Sequence, residues 1–375
     1  MPGGRSMDSG GNDRPIADRT SHQPIEEIRV LATLLLVIYH VIGGEGTGLA
    51  LSYPHPLRIF ADMLADFRMP AFAFVAGFVY ALRPPRLTGL GAFYAGKLRR
   101  IAVPGLIAAF GFETIALFLD SMGMTFGWMI PPDQIWRLLI FPYIHFWFLQ
   151  AILSLFAVVG LMDAATGYRR HLWLLATATL LALSGLKLPP YFSLDQAAGL
   201  APFFILGICV HRGAAWVDAH RRPLTLTALM VMLICLCWKS WSYTQTGMID
   251  LDRRDIETLA MGAALCTLLI FYLPTHPWAK SIGRITFTIY LYHVLGTAAV
   301  RIALNKVGID MLPVHLLLGV IAGLMLPAAI HLVAAHHPLS SRLLLGIKSA
   351  KKPVAPLSAS PSLDTVSTLA AEHSG

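Results

Sequence analysis

The chain has 375 residues, 56% of them hydrophobic and only 13% charged, with a mean hydropathy of +0.63. Charged residues run at about half the ~25% usual in soluble domains, which excludes a disordered chain, a collagen and a secreted disulfide scaffold and indicates an all-α, polytopic membrane protein. The net charge of +8, from 29 Lys+Arg against 21 Asp+Glu, is read as basic loops on one membrane face, with no nucleic-acid partner expected.

Residues 1–24 are polar, rich in Gly, Arg and Asp, and carry no apolar core of a signal peptide. They are read as a disordered cytoplasmic N-terminus. Ten apolar segments follow, at 26–44, 60–82, 98–119, 145–162, 171–187, 199–212, 224–241, 257–273, 284–303 and 314–335. Their apolar residues come in long runs rather than alternating, as in membrane helices and not β-barrel strands. About ten transmembrane helices are therefore expected within a domain spanning 25–348. The Ser/Pro/Ala-rich stretch 349–375 is read as a disordered cytoplasmic tail. The cysteines Cys209, Cys235, Cys237 and Cys266 all lie in apolar runs and are read as small buried residues. No metal-ligand spacing is present, so neither a metal nor a permanently bound cofactor is expected.

Counting Lys and Arg by alternate loops, with the N-terminus inside, puts 20 on the inner side and 8 on the outer, with Arg68 left out as lying within a span. This positive-inside bias places both termini in the cytoplasm.

Ionisable residues inside apolar runs each need a reason, because lipid disfavours them by ~2.5–3.5 kcal/mol on insertion scales. Arg29 and His40 share the first segment. Eleven helical steps bring them back to nearly the same face, about 16 Å apart along the axis. One reading is a snorkelling arginine and a hydrogen-bonded histidine; the other is a functional stripe. Arg68 stands just before Pro70 in the second segment, where it either pairs with Asp62 or Asp66 or faces a cavity and stabilises an anion. Lys97-Leu98-Arg99-Arg100 opens the third, fit for lipid phosphates or for a phosphorylated soluble ligand. His145 and Trp147 begin the fourth, and Tyr290 and His293 lie in the ninth. No spacing pairs the three histidines for a bis-histidine haem.

Five blocks in order give these residues a context: Arg29 to His40; Phe67 to Gly77; Lys97 to Pro104; His145-Phe-Trp-Phe-Leu149; and Thr286 to His293. Together they resemble the acyltransferase 3 family of integral-membrane acyltransferases, over about residues 25–335. Ala73 and Ala76 stand where members often have a bulkier aromatic and a Ser. The resemblance implies transfer of an acyl group, often acetyl, from cytoplasmic acyl-CoA to a hydroxyl of a carbohydrate or other acceptor, as in O-acetylation of polysaccharides, at a bacterial inner membrane. It further implies catalytic roles for His40 as base, Arg29 and Arg68. Arg29, Arg99 and Arg100 are then donor-binding, and His145, Trp147, Tyr290 and His293 are further site candidates, among membrane lipids. A secondary transporter or flippase with an Arg/His-lined path is the competing reading. The chain lacks the self-similar halves many transporters show.

Overall fold

The computed structural model describes residues 23–44, 47–124 and 126–347. The expected terminal segments lie outside the described residues, apart from Gln23 and Pro24. Among the described residues all regular structure is helical. Ten long helices follow the ten apolar segments: α1 Ile25–Ile42, α2 Ala65–Leu82, α3 Val103–Ser121, α4 Trp147–Ala165 and α5 His171–Leu183. The rest are α6 Leu194–Arg212, α7 Arg221–Thr246, α8 Ile256–Tyr272, α9 Thr286–Lys306 and α10 Leu312–Ala335. Among the described residues six helices are long and apolar enough to cross a membrane: the continuous run Leu87–Ser121 that ends in α3, and α4, α6, α7, α9 and α10. Helices α5 and α8 are shorter and apolar. Helices α1 and α2 each have 18 residues and carry Glu26, Glu27 and Arg29, and Asp66 and Arg68. The protein is a polytopic membrane protein.

Helix ends depart from the hydropathy boundaries by up to five residues. The expected 60–82 segment breaks at Leu64 into a short helix, Pro56–Met63, and α2. Helix α6 starts five residues before the expected 199, because Asp195 pairs with Arg254 at 2.7 Å. Helix α7 runs five residues past the expected 241, and within it the Lys239 ammonium is buried between Asp66 (2.5 Å) and Glu257 (3.2 Å). Cys235 and Cys266 are buried and Cys209 half-buried, as read from the sequence. Cys237 corrects that reading: two positions along α7 from Cys235, it points outward and is exposed.

The helices run alternately up and down. The end where α1 begins is called proximal here. There Glu27 accepts from the His276 backbone N–H (2.7 Å), and Tyr168 donates to the Pro85 carbonyl (2.7 Å). Arg212 grips Asp163 with both terminal nitrogens at 2.6 Å, while Tyr80 donates to the same carboxylate. At the distal end Lys239 joins α7 to α2 and α8, and Arg58 and Tyr53 both bind Asp62.

Two glycine contacts set the centre of the bundle. A Cβ on Gly77 of α2 would stand 1.8 Å from the Phe204 carbonyl oxygen, and one on Gly207 of α6 2.1 Å from that of Phe74. Backbone touches backbone there, the way small residues let membrane helices pack. Gly296 brings α9 against the α10 backbone in the same manner, and Gly323 leaves room on α10 for the Val37 side chain of α1. Helices α7 and α10 are only 17% buried along their apolar windows, so their leucines face outward as lipid-facing helices do.

Candidate functional site

Helices α1 and α9 and the entrance to α4 bring three histidines together. His40 is in the last turns of α1, His293 is on α9, and His145 sits just before α4. Their ring centroids are 4.7 Å apart for His40 and His293, 5.2 Å for His145 and His293, and 6.1 Å for His40 and His145. Each ring is tied to a backbone carbonyl. His40 Nδ1 lies 2.9 Å from Leu36 O, His293 Nδ1 3.0 Å from both Ile289 O and Tyr290 O, and His145 Nε2 3.3 Å from Leu291 O. A carbonyl only accepts, so the bonded nitrogen carries the hydrogen and the other keeps a lone pair. For His145 Nδ1 and His293 Nε2 that lone pair is buried with no partner among the described residues. His40 differs, because its side chain forms part of a cavity wall.

The local chain supports this geometry. Ile144 is in the left-handed region, with φ of 40°, and turns the chain into α4. Tyr290 donates its hydroxyl to the His145 backbone carbonyl, which pins that turn to α9. Trp147 points elsewhere: two positions on, it lies under the Arg253 guanidinium at 4.7 Å. Of the four further candidates, His145, Tyr290 and His293 therefore join His40, and Trp147 does not.

Two cavities approach the cluster from opposite ends. The proximal one, about 440 Å³, has Arg29, Lys97 and Arg284 in its wall and reaches Phe72, Phe148 and Tyr290. Arg29 keeps a half-exposed pair with Glu26 at 3.0 Å. Arg99 and Arg100 are not among the lining residues. They lie on a π-helical turn, Leu98–Ala102, just before Pro104, which has no N–H to offer the Arg100 carbonyl. Among the described residues Arg99 Nε is buried without a partner, and the Arg100 backbone is covered by Gly346. The signal for Lys97 was present in the sequence: Lys97 and Ile101 are an i, i+4 pair, and both line the cavity. Arg284 counted in the sequence only as a topology charge.

The distal cavity, about 150 Å³, is lined by His40, Phe112, Trp128, Thr297, Arg301 and His315 among others. The Arg29/His40 stripe thus spans the bundle: Arg29 opens on one cavity and His40 on the other, both against α9.

Arg68 is buried and lines neither cavity. Asp62 is taken by Arg58 and Tyr53, and Asp66 by Lys239, so neither aspartate pairs with it. Its guanidinium lies 3.5 Å over the Tyr39 ring, and Nε donates to Leu64 O at 3.3 Å. It is close enough to His40 for its charge to act there. Arg253, in the connection before α8, is held near the same ring: burial lowers its pKa, while Tyr39 and Asp66 oppose the shift. Among the described residues no group of three or more His, Cys, Asp or Glu is placed to hold a metal ion.

The family model for the acyltransferase domain of the acyltransferase 3 family matches residues 25–332. No curated protein and no solved structure matches the chain.

Proposed function

Because the chain belongs to the acyltransferase 3 family of membrane acyltransferases, we propose that it moves an acyl group, acetyl in the first instance, from cytoplasmic acyl-CoA to a hydroxyl of a carbohydrate or glycoconjugate. In this reading all ten helices cross the bacterial inner membrane, and the proximal end faces the cytosol, as the 20 to 8 charge bias favours.

One observation carries the proposal: a cationic cavity that ends at Tyr290, against the histidine cluster, and a smaller cavity that opens on His40 approach that cluster from opposite ends. Arg29, Lys97 and Arg284 come from three separate elements and suit the phosphates of CoA, whose thin pantetheine arm passes Phe72 and Phe148. Lys97 and Arg284 here take the role expected of Arg99 and Arg100, which stay one turn away. The acceptor enters on the His40 side. His40 Nε2 takes the hydroxyl proton as the oxygen attacks the thioester carbonyl carbon. A C–O bond forms, the tetrahedral intermediate collapses, and the C–S bond breaks. The departing CoA thiolate then takes the proton back from the imidazolium. The hydrogen bond to Leu36 fixes the ring so that Nε2, not Nδ1, is the base. Arg68 acts through its charge from behind Tyr39, so it is a positioning residue here.

The test uses membranes supplied with radiolabelled acetyl-CoA. Label should be released or transferred by the wild type and not by His40→Ala at equal membrane abundance. Wild-type turnover in the alanine variant would remove His40 from the base role.

A further inference from the structure

The distal cavity has a wall that proton removal by His40 does not explain. Tyr290, Val294, Thr297 and Arg301 follow at four, three and four positions along α9 and so form one stripe. Tyr290 faces the proximal cavity, and the other three line the distal one. Arg301 has no ion pair or hydrogen bond among the described residues. The described lining contains no carboxylate. Glu113, next to the lining residue Phe112, is fully buried and already accepts from the Tyr143 hydroxyl (2.7 Å) and the Ile130 N–H (2.8 Å). It is therefore not available to Arg301.

The same wall holds an acceptor without a donor. His315 is 5% exposed, and its Nε2 lies 2.7 Å from Ile309 O. Nε2 therefore carries the hydrogen, and Nδ1 keeps a lone pair with no partner among the described residues. A guanidinium with five donors and an imidazole waiting for an O–H thus share one small cavity with the base. A neutral polyol would satisfy His315 but leave the guanidinium unmatched.

Resting on the acyl-transfer reading, we infer that the acceptor is an anionic carbohydrate, its carboxylate or phosphate held by Arg301 while one of its hydroxyls reaches His40. Arg301 is eight residues beyond His293 on α9, about 12 Å along the axis. That distance, less the reach of the arginine, spans one or two sugar rings. The cavity's volume of about 150 Å³ takes on the order of ten water-sized groups, enough for one ring.

The experiment measures binding of glucuronate, glucose 6-phosphate and glucose to the purified full-length protein in neutral detergent, with acetyl-CoA affinity read in the same samples. Both acids should bind about ten-fold or more tightly than glucose. The advantage should shrink as salt rises, disappear in Arg301→Gln and persist in part in Arg301→Lys. An advantage for one acid alone supports the inference and identifies the anion. Equal binding of acids and glucose, binding of none of the three, or an advantage that survives Arg301→Gln overturns it and leaves Arg301 as a lipid-headgroup anchor. Loss of acetyl-CoA binding by the wild type would instead overturn the acyl-transfer reading, so the two failures are separable.

Discussion

The proximal and distal mouths differ in how their polar groups are supplied. At the proximal mouth three cations come from three elements and surround a long, largely apolar cavity of about 440 Å³. At the distal mouth one arginine and one histidine sit on two neighbouring helices beside the stacked rings of Phe126 and Trp128, around about 150 Å³. Dispersed cations before an apolar path suit a ligand that is charged at one end and thin along its length. A small cavity with His40, Thr297, Arg301 and His315 set among apolar side chains suits a compact ligand that carries its own polar groups. The histidine cluster lies between the two, and its lone pairs without partners among the described residues fit a site whose polar partners arrive with the substrates.

The largest expected effect is all-or-none. Reporter fusions after Arg86 should behave as cytoplasmic, and fusions near Asp250 as exterior. The opposite pattern would exchange the two mouths and put the three-cation cavity out of reach of cytosolic CoA.

Next in size is His40→Ala, which should cut turnover by about 10²–10⁴-fold, the range of general-base catalysis, while leaving acetyl-CoA affinity nearly unchanged. A parallel loss of donor affinity, read by equilibrium binding, would mean that the mouths do not act separately.

Lys239→Met tests the distal framework. It strips the counter-charge from the buried Asp66 and Glu257, a loss of about 3–5 kcal/mol when one partner of a buried set is removed. The melting temperature in detergent should drop, and adding Asp66→Asn and Glu257→Gln should restore much of it. A single variant as stable as the wild type would show that the triad does not hold α2, α7 and α8 together.

Donor affinity sharpens the proximal side. Lys97→Gln or Arg284→Gln should weaken acetyl-CoA binding about ten-fold, from a charge-assisted phosphate contact of about 1.5–3 kcal/mol. Arg29→Gln should do the same, and Arg99→Gln less, because Arg99 does not line the cavity. Equal losses at Lys97 and Arg99 would return the CoA site to the whole basic block.

The smallest effect belongs to Tyr290→Phe. It removes the hydrogen bond that pins the His145 turn to α9, about 0.5–1.5 kcal/mol for a neutral pair. Turnover should fall a few-fold with donor affinity kept.

Helical periodicity and hydropathy are local properties, so the chain alone determined a good deal. It set the ten helices to within a few residues, the side bias of their loops, and the shared face of Arg29 and His40. The five ordered blocks also carried the family. The start of α6 strayed where the expected segment left out Asp195, since only the folded bundle supplies Arg254 as its partner.

Tertiary structure decided what depends on which helices are neighbours. His40, His145 and His293 are separated by more than a hundred residues each, and no periodicity links them. They meet because Gly296 and Gly323 let α9, α10 and α1 close in, and because Tyr290 ties the α4 entrance to α9. Whether Arg68 paired with an aspartate was also open in the sequence. Packing settled it by giving Asp62 to Arg58 and Asp66 to Lys239, which left Arg68 on the Tyr39 ring. The choice of Lys97 and Arg284 over Arg99 and Arg100 as cavity cations has the same origin. Charge content is written along the chain, but which charge faces a cavity follows from the rotation of each helix against its neighbours, and close packing sets that rotation.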